Sequence, residues 1–190
     1  MIIHICGAVG SGKTTLANKI KKKYKNVIVK DLDDLLNYYV RKNKFSVKGY
    51  QNYINDFIEK HKNKNIIFVG INQDMGRSKT MYQLKPSYKF FINLDIKENA
   101  KRRFIRDYKN DVKYFFLWKY SGKELTSEKI YKEWIKNEKL NTKRLQKIIE
   151  EMSPSGLEKD TIRWHNKYKK LGYKFITSDK IYKKVAKLLQ

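Results

Sequence analysis

A chain of 190 residues that is 41% hydrophobic and 14% aromatic has the length and apolar content of one packed domain, or of one domain carrying a large insertion, which excludes the disordered class. No apolar run approaches the ~20 residues of a membrane span. No secretion or transit signal is expected, and the single cysteine, Cys6, excludes an internal disulfide and fits a reducing, cytoplasmic setting. The formal net charge of +25 reads as a footprint for nucleic acid or another polyanion, yet 37 Lys stand against 7 Arg, and phosphate and base forks favour Arg. Ile, Asn and Tyr are also abundant; with Lys they are the residues of AT-rich codons, so coding bias is a second source of the charge. Nucleic acid stays open as a partner.

In chain order, Ile2–Cys6 is a short β-branched apolar run stopped by Gly7 and predicts a strand. Leu16, Ala17 and Ile20 recur at helical spacing and predict a helix over 14–23. Val27–Val29 predicts a second strand ending at Lys30-Asp31. A helix follows over 33–41, with Asp33 and Asp34 at its N-terminal end. Residues 50–60 predict another helix, and IIFVGI at 66–71 and FFINL at 90–94 are continuous apolar runs of the kind buried on both faces. Lys97–Asp107 reads as a helix. YKFIT at 173–177 is the last strand, and Ser178 is placed to cap a closing helix over 179–189. Strands alternating with helices predict a parallel sheet covered on both sides. The stretch from 107 to 171 shows no strand signal. It holds Trp118, Trp134 and Trp164, gives helical patterns at 111–120, 127–137, 142–152 and 157–170, and is broken at Ser153-Pro154-Ser155-Gly156. It reads as a helical insertion over 109–171 on an α/β core formed by 1–108 and 172–190.

The chemistry-bearing motif is Gly7-Ala8-Val9-Gly10-Ser11-Gly12-Lys13-Thr14, which matches G-x-x-x-x-G-K-[ST] at every fixed position, with a strand before it and a helix after it. Glycines let backbone N–H groups close around phosphates with no Cβ in the way. The helix start turns its positive end to the anion. Lys13 reaches the β- and γ-phosphates, and the Thr14 hydroxyl ligates Mg²⁺. Gly7, Val9, Gly10, Ser11, Gly12, Lys13, Thr14 and Thr15 are therefore the expected nucleoside triphosphate site, with ATP and Mg²⁺ as cofactors.

With this loop near residue 1 and five strands in so short a chain, the sequence resembles the compact P-loop kinases: nucleoside monophosphate kinases and their shikimate, gluconate and polynucleotide 5′-hydroxyl kinase relatives. The resemblance covers about residues 1–108 and 172–190. It implies a three-layer P-loop NTPase fold with strand order 2-3-1-4-5, a lid at the insertion, and an acceptor site at the ends of the second and third strands. Hydroxyl kinases of this kind place an Asp after the second strand. An alcohol must lose its proton as it attacks phosphorus, and a carboxylate in reach accepts it. Asp33 is the candidate base and acceptor ligand, and Asp31, two residues back on one extended face, lies nearer the metal; simple helix capping is the competing reading.

The resemblance further implies an acceptor-phosphate arginine after the third strand, where Arg77 stands in Asn72–Ser78, with Arg41 the other candidate. The third strand lacks the acid the family often carries, which moves metal duties to Asp31, Asp33 or Asp74. Lid arginines are sought in Arg102, Arg103 and Arg106, three of the seven arginines within five residues. The expected activity is transfer of the γ-phosphate to a hydroxyl of a nucleoside, nucleotide or other small acceptor. The alternatives are a nucleoside monophosphate kinase, a polynucleotide 5′-hydroxyl kinase, and a nucleotide-holding module that docks nucleic acid on its basic insertion. His4 reads as a core residue, and the isolated His61 and His165 give no metal-ligand spacing.

Overall fold

The structure is a computed structural model that describes residues 1–44, 46–70, 84–107 and 154–190; for 105–107 and 154 it describes the backbone alone. Five strands, β1 (Ile2–Cys6), β2 (Ile28–Asp31), β3 (Ile66–Val69), β4 (Tyr88–Ile92) and β5 (Lys174–Ile176), form one parallel sheet in the order β2-β3-β1-β4-β5. The helices among the described residues are α1 (Lys13–Lys23), α2 (Leu32–Lys42), α3 (Val47–Lys60), α4 (Ile96–Asp107), α5 (Pro154–Lys170) and α6 (Ser178–Leu188). The class and strand order are those expected from the sequence.

Strand periodicity decides the layers. Ile3, Ile5, Ile67, Val69, Phe90 and Ile92 point to one side, where they meet Leu16, Ala17 and Ile20 of α1 and Ile181 and Val185 of α6. Ile66 and Phe68 point to the other side and meet Leu32, Leu35 and Tyr39 of α2 and Tyr50 and Ile54 of α3. With a core on each face, β3 has no exposed position, which is why its sequence is unbroken IIFV. Each such fully buried Ile or Phe contributes roughly 1.5–3 kcal/mol.

Several boundaries differ from the sequence reading, each for a local reason. β3 stops at Val69 because Gly70 takes φ 118°, which ends extended chain. α3 starts at Val47, three residues early, because the Ser46 hydroxyl accepts the Gly49 N–H at 3.0 Å. Gly49 is the position that hid this start: it is a poor helix former, but any side chain there would strike the Tyr39 hydroxyl, so the glycine lets α3 close on α2. The break expected at 153–156 is instead the first turn of α5, with Pro154 at its start, where proline's fixed φ suits a helix. Ser178 lies inside α6; the cap position is Thr177, and it makes no side-chain cap bond.

By its contacts the chain divides into two units, Met1–Gly7 with Gly12–Asn93 and Tyr168–Gln190, and Ala8–Ser11 with Leu94–Lys167. The whole sheet belongs to the first. The helical patterns at 111–120, 127–137 and 142–152, with Trp118 and Trp134, lie outside the described residues, as does most of the expected 109–171 insertion. Among the described residues no helix is long and apolar enough to cross a membrane.

Ile67 is fully buried on an inner strand. Ile67→Ala is expected to cost about 2–5 kcal/mol, read as a lower urea midpoint at unchanged slope.

Candidate active site

The glycine loop leaves β1 at Cys6 and enters α1 at Lys13. Gly10 and Gly12 hold φ of 81° and 89°, left-handed values that a side chain resists. Gly12 is also the N-cap of α1. It has no side chain to cap the helix, and the first turn of α1 carries no acid. The N-cap and first turn of α1 thus offer its positive end no anion of their own. The loop is braced from within: Ser11 N–H donates to Ala8 O at 3.1 Å, and Lys13 Nζ donates to Gly7 O at 2.8 Å.

In the second unit, buried Asn99 of α4 donates from Nδ2 to Val9 O at 2.9 Å and accepts at Oδ1 from the Thr161 hydroxyl of α5 at 2.9 Å. A Cβ on Gly10 would lie 3.3 Å from the Arg103 backbone nitrogen, so α4 packs directly on the loop there. Ser11 Oγ is buried with no hydrogen-bond partner among the described residues. An orphaned hydroxyl, an uncapped helix start, and open space beside Gly12 fit a bound polyphosphate. Thr14 and Thr15 are exposed on the first turn of α1.

The carboxylates are arranged differently from the sequence expectation. Asp31 and Asp33 do not share an extended face, because β2 ends at Asp31 and α2 begins at Leu32. Asp31 is the N-cap: its Oδ1 accepts the Asp33 N–H at 2.9 Å, the role the sequence reading left as the competing one. Its carboxyl also lies against Gly70 at the end of β3, where a Cβ would come within 3.2 Å of Oδ1. Half-burial pushes the Asp31 carboxyl above the ordinary range; the Asp33 N–H opposes this, the charges of Asp33 and Asp34 add to it, and the Lys13 ammonium opposes it. Asp33 and Asp34 are both exposed on the first turn of α2.

Asp31 and Asp34 line a cleft of about 430 Å³ at the β2 edge, with Lys21, Lys30, Tyr38 and Tyr53 among its walls. Tyr38 and Tyr53 stack there at 6.2 Å between ring centres. The sequence reading assigned Asp34 only to the helix start. Its i, i+4 spacing to Tyr38 was the available signal that both face one side.

The arginines separate. Arg102 pairs with Glu98 at 2.7 Å, an exposed i, i+4 pair of small energetic weight. Arg103 is paired with Asp160, whose carboxylate also accepts from Arg163 Nη2 at 2.7 Å and from Trp164 Nε1 at 3.1 Å. Asp160 and Asn99 are thus the residues that join α4 to α5, and neither was singled out from the sequence; two partners far apart in the chain leave no local pattern. Arg41 is exposed in the last turn of α2. Arg77, with Asp74 and the rest of 71–83, lies outside the described residues, and so does the Arg106 side chain.

Behind the loop, His4 of β1 is fully buried. Its Nε2 meets Gly70 O at 2.9 Å, and a carbonyl can only accept, so Nε2 carries the proton. Nδ1 then accepts the Tyr173 hydroxyl at 2.5 Å. Burial lowers the His4 pKa to about 4 and raises that of Tyr173, so both stay neutral. Cys6 is buried beside them, and its thiol is pushed up to about 12, which makes it inert.

Two measurements check this geometry. Gly12→Ala should cost roughly 1–2 kcal/mol for the left-handed backbone alone, and Gly10→Ala should cost more because its methyl also meets α4; chemical denaturation ranks them. For His4, whose folded pKa is depressed, stability is full above the unfolded value of 6.5 and falls as pH drops from there toward about 4. The total is about 3 kcal/mol, at about 1.4 kcal/mol per pH unit. His4→Gln should remove this part of the pH profile.

No protein-family model and no curated protein matches this chain.

Proposed function

We propose that the chain is an ATP- and Mg²⁺-dependent phosphotransferase of the compact P-loop kinase type, acting on a hydroxyl of a nucleoside, nucleotide or other small acceptor. The reading is carried by one observation: a G-x-x-x-x-G-K-T loop between a central parallel strand and an uncapped helix start, with left-handed glycines and an orphaned serine hydroxyl. The strand order β2-β3-β1-β4-β5 accords with the three-layer P-loop NTPase fold.

On this reading the amides of Val9–Thr14 take the phosphates, Lys13 neutralises the β- and γ-groups, and the Thr14 hydroxyl holds the metal. Bound ATP with Mg²⁺ supplies the transferable phosphoryl group. Asp33 accepts the proton of the acceptor hydroxyl. The Asp33 N–H holds the Asp31 carboxylate through the cap bond, and Asp31 lies nearer the metal; its partial burial and its electrostatic coupling to Lys13 support that placement. A phosphate acceptor would need cations rather than carboxylates at this point, and three carboxylates, Asp31, Asp33 and Asp34, stand at the junction of β2 and α2. Arg102, whose pair with Glu98 is exposed, and Arg106 are the candidate lid cations, since Arg103 is held by the part-buried Asp160.

The test is transfer from γ-labelled ATP with Mg²⁺ to nucleosides, nucleoside monophosphates, polyol acids and 5′-hydroxyl oligonucleotides, with Lys13→Ala as the blank. Label should move to one hydroxyl-bearing class and vanish in Lys13→Ala. Asp33→Asn should lower turnover by 10²-fold or more if it is the base. Unchanged turnover in Asp33→Asn would point to a phosphate acceptor, and transfer by Lys13→Ala would end the kinase reading.

A further inference from the structure

The two helix layers of the sheet differ in charge. On one side, α2 and α3 carry Asp33, Asp34, Asp56 and Glu59 against four basic residues, which is balance. On the other, α1 and α6 carry eight exposed lysines against one acid, Asp179. No Asp or Glu occurs anywhere in residues 1–30. Coding bias toward lysine would load both layers alike and would not strip the acids from one of them.

The lysines are also ordered. Lys180, Lys183, Lys184 and Lys187 stand at i, i+3, i+4 and i+7 on α6, one continuous stripe about 10 Å long, opposite buried Ile181 and Val185. Lys19, Lys22 and Lys23 repeat the i, i+3, i+4 spacing on α1. The two helices pack side by side, and Lys19 Nζ lies 4.3 Å from the ring centre of Tyr182 of α6. A stripe of that length covers about three base-pair steps, at 3.4 Å of axial rise each, and so lies within reach of the phosphates that border one groove.

We propose that the α1–α6 face is a docking surface for the phosphate backbone of nucleic acid, bound without regard to sequence. Lysines act as point charges and do not fork onto base edges, which fits backbone contact rather than base readout. A membrane surface is the weaker partner. A helix that lies in a lipid interface needs exposed apolar side chains on its contact face, and the large apolar residues exposed among the described ones (Tyr38, Val40, Tyr88 and Ile162) all lie elsewhere. The proposal does not depend on the kinase reading.

The experiment is fluorescence anisotropy of a labelled, mixed-sequence 20-base-pair DNA duplex titrated with the protein from 50 to 200 mM salt. The first variant replaces Lys180, Lys183, Lys184 and Lys187 with Gln, and a second replaces Lys19, Lys22 and Lys23. The control replaces the exposed Lys48, Lys60, Lys62 and Lys64 with Gln and so removes the same charge as the first variant from other parts of the surface. Thermal unfolding checks that each variant folds. Wild type should bind with steep salt dependence. The α6 variant should weaken binding about 10-fold or more at 0.1 M salt and flatten the log–log slope by about 3–4, while the control should stay within about twofold. Equal loss in the α6 variant and the control would show that net charge alone acts and would overturn the assignment. So would absent duplex binding, or binding only to phosphatidylserine vesicles.

Discussion

β1 lies third of five strands, hydrogen-bonded on both sides, with alternate residues committed to opposite helix layers. A one-residue slip would send Ile3 and Ile5 to the α2–α3 side and His4 into the α1–α6 core, so its register is fixed by burial alone. The glycine loop and Lys13 follow directly from the end of this strand. The chain must leave a buried strand and start a helix within six residues, and it does so through two left-handed glycines. That turn brings the chain into α1 at Gly12, which has no side chain to cap the helix start. The left-handed glycines and the uncapped helix start thus both follow from the short connection between β1 and α1.

The layered α/β class and the loop were legible because each has a dense local or periodic signal, while the strand order came from the family resemblance. IIFV and IIHIC are continuous apolar runs, and the loop motif occupies eight consecutive positions. The elements of α1, α2, α4 and β5 came out within two residues for the same reason. The misreadings are of another kind. At Gly49 and at Pro154 the residues spoke locally for a break, and distant packing or position in the first turn decided for a helix. Asp31 and Asp33 looked like neighbours on extended chain because the end of β2 is set by its pairing with β3, which the local sequence does not record.

The candidate site was legible in part. Lys13 and the glycines were read from the motif. The bracing by Asn99, Thr161 and Asp160 was not, since it joins residues 57 to 90 positions apart. Asp31 shows how two roles can share one carboxylate. It caps α2 while partial burial and the acidic neighbours on that helix raise its affinity for a proton. The cap role is the one the structure shows, and it does not compete with a chemical role for the same carboxylate. A cap bond fixes the carboxylate's orientation, and a fixed carboxylate is what a proton acceptor or a metal-bound water needs.

The His4–Tyr173 hydrogen bond joins residues 169 positions apart, and on the opposite face of the sheet Ile181 and Val185 pack onto Ile3 and Ile5. During synthesis, β1 and the glycine loop leave the ribosome before the other described elements, but the core around them is completed only when α6 has emerged. Until then Ile3 and Ile5 lack part of their cover, and the nascent chain exposes the apolar edge of an unfinished parallel sheet. The loop's shape is therefore a late event in the life of each molecule, and a chain interrupted before residue 173 would carry the motif without the core that holds it.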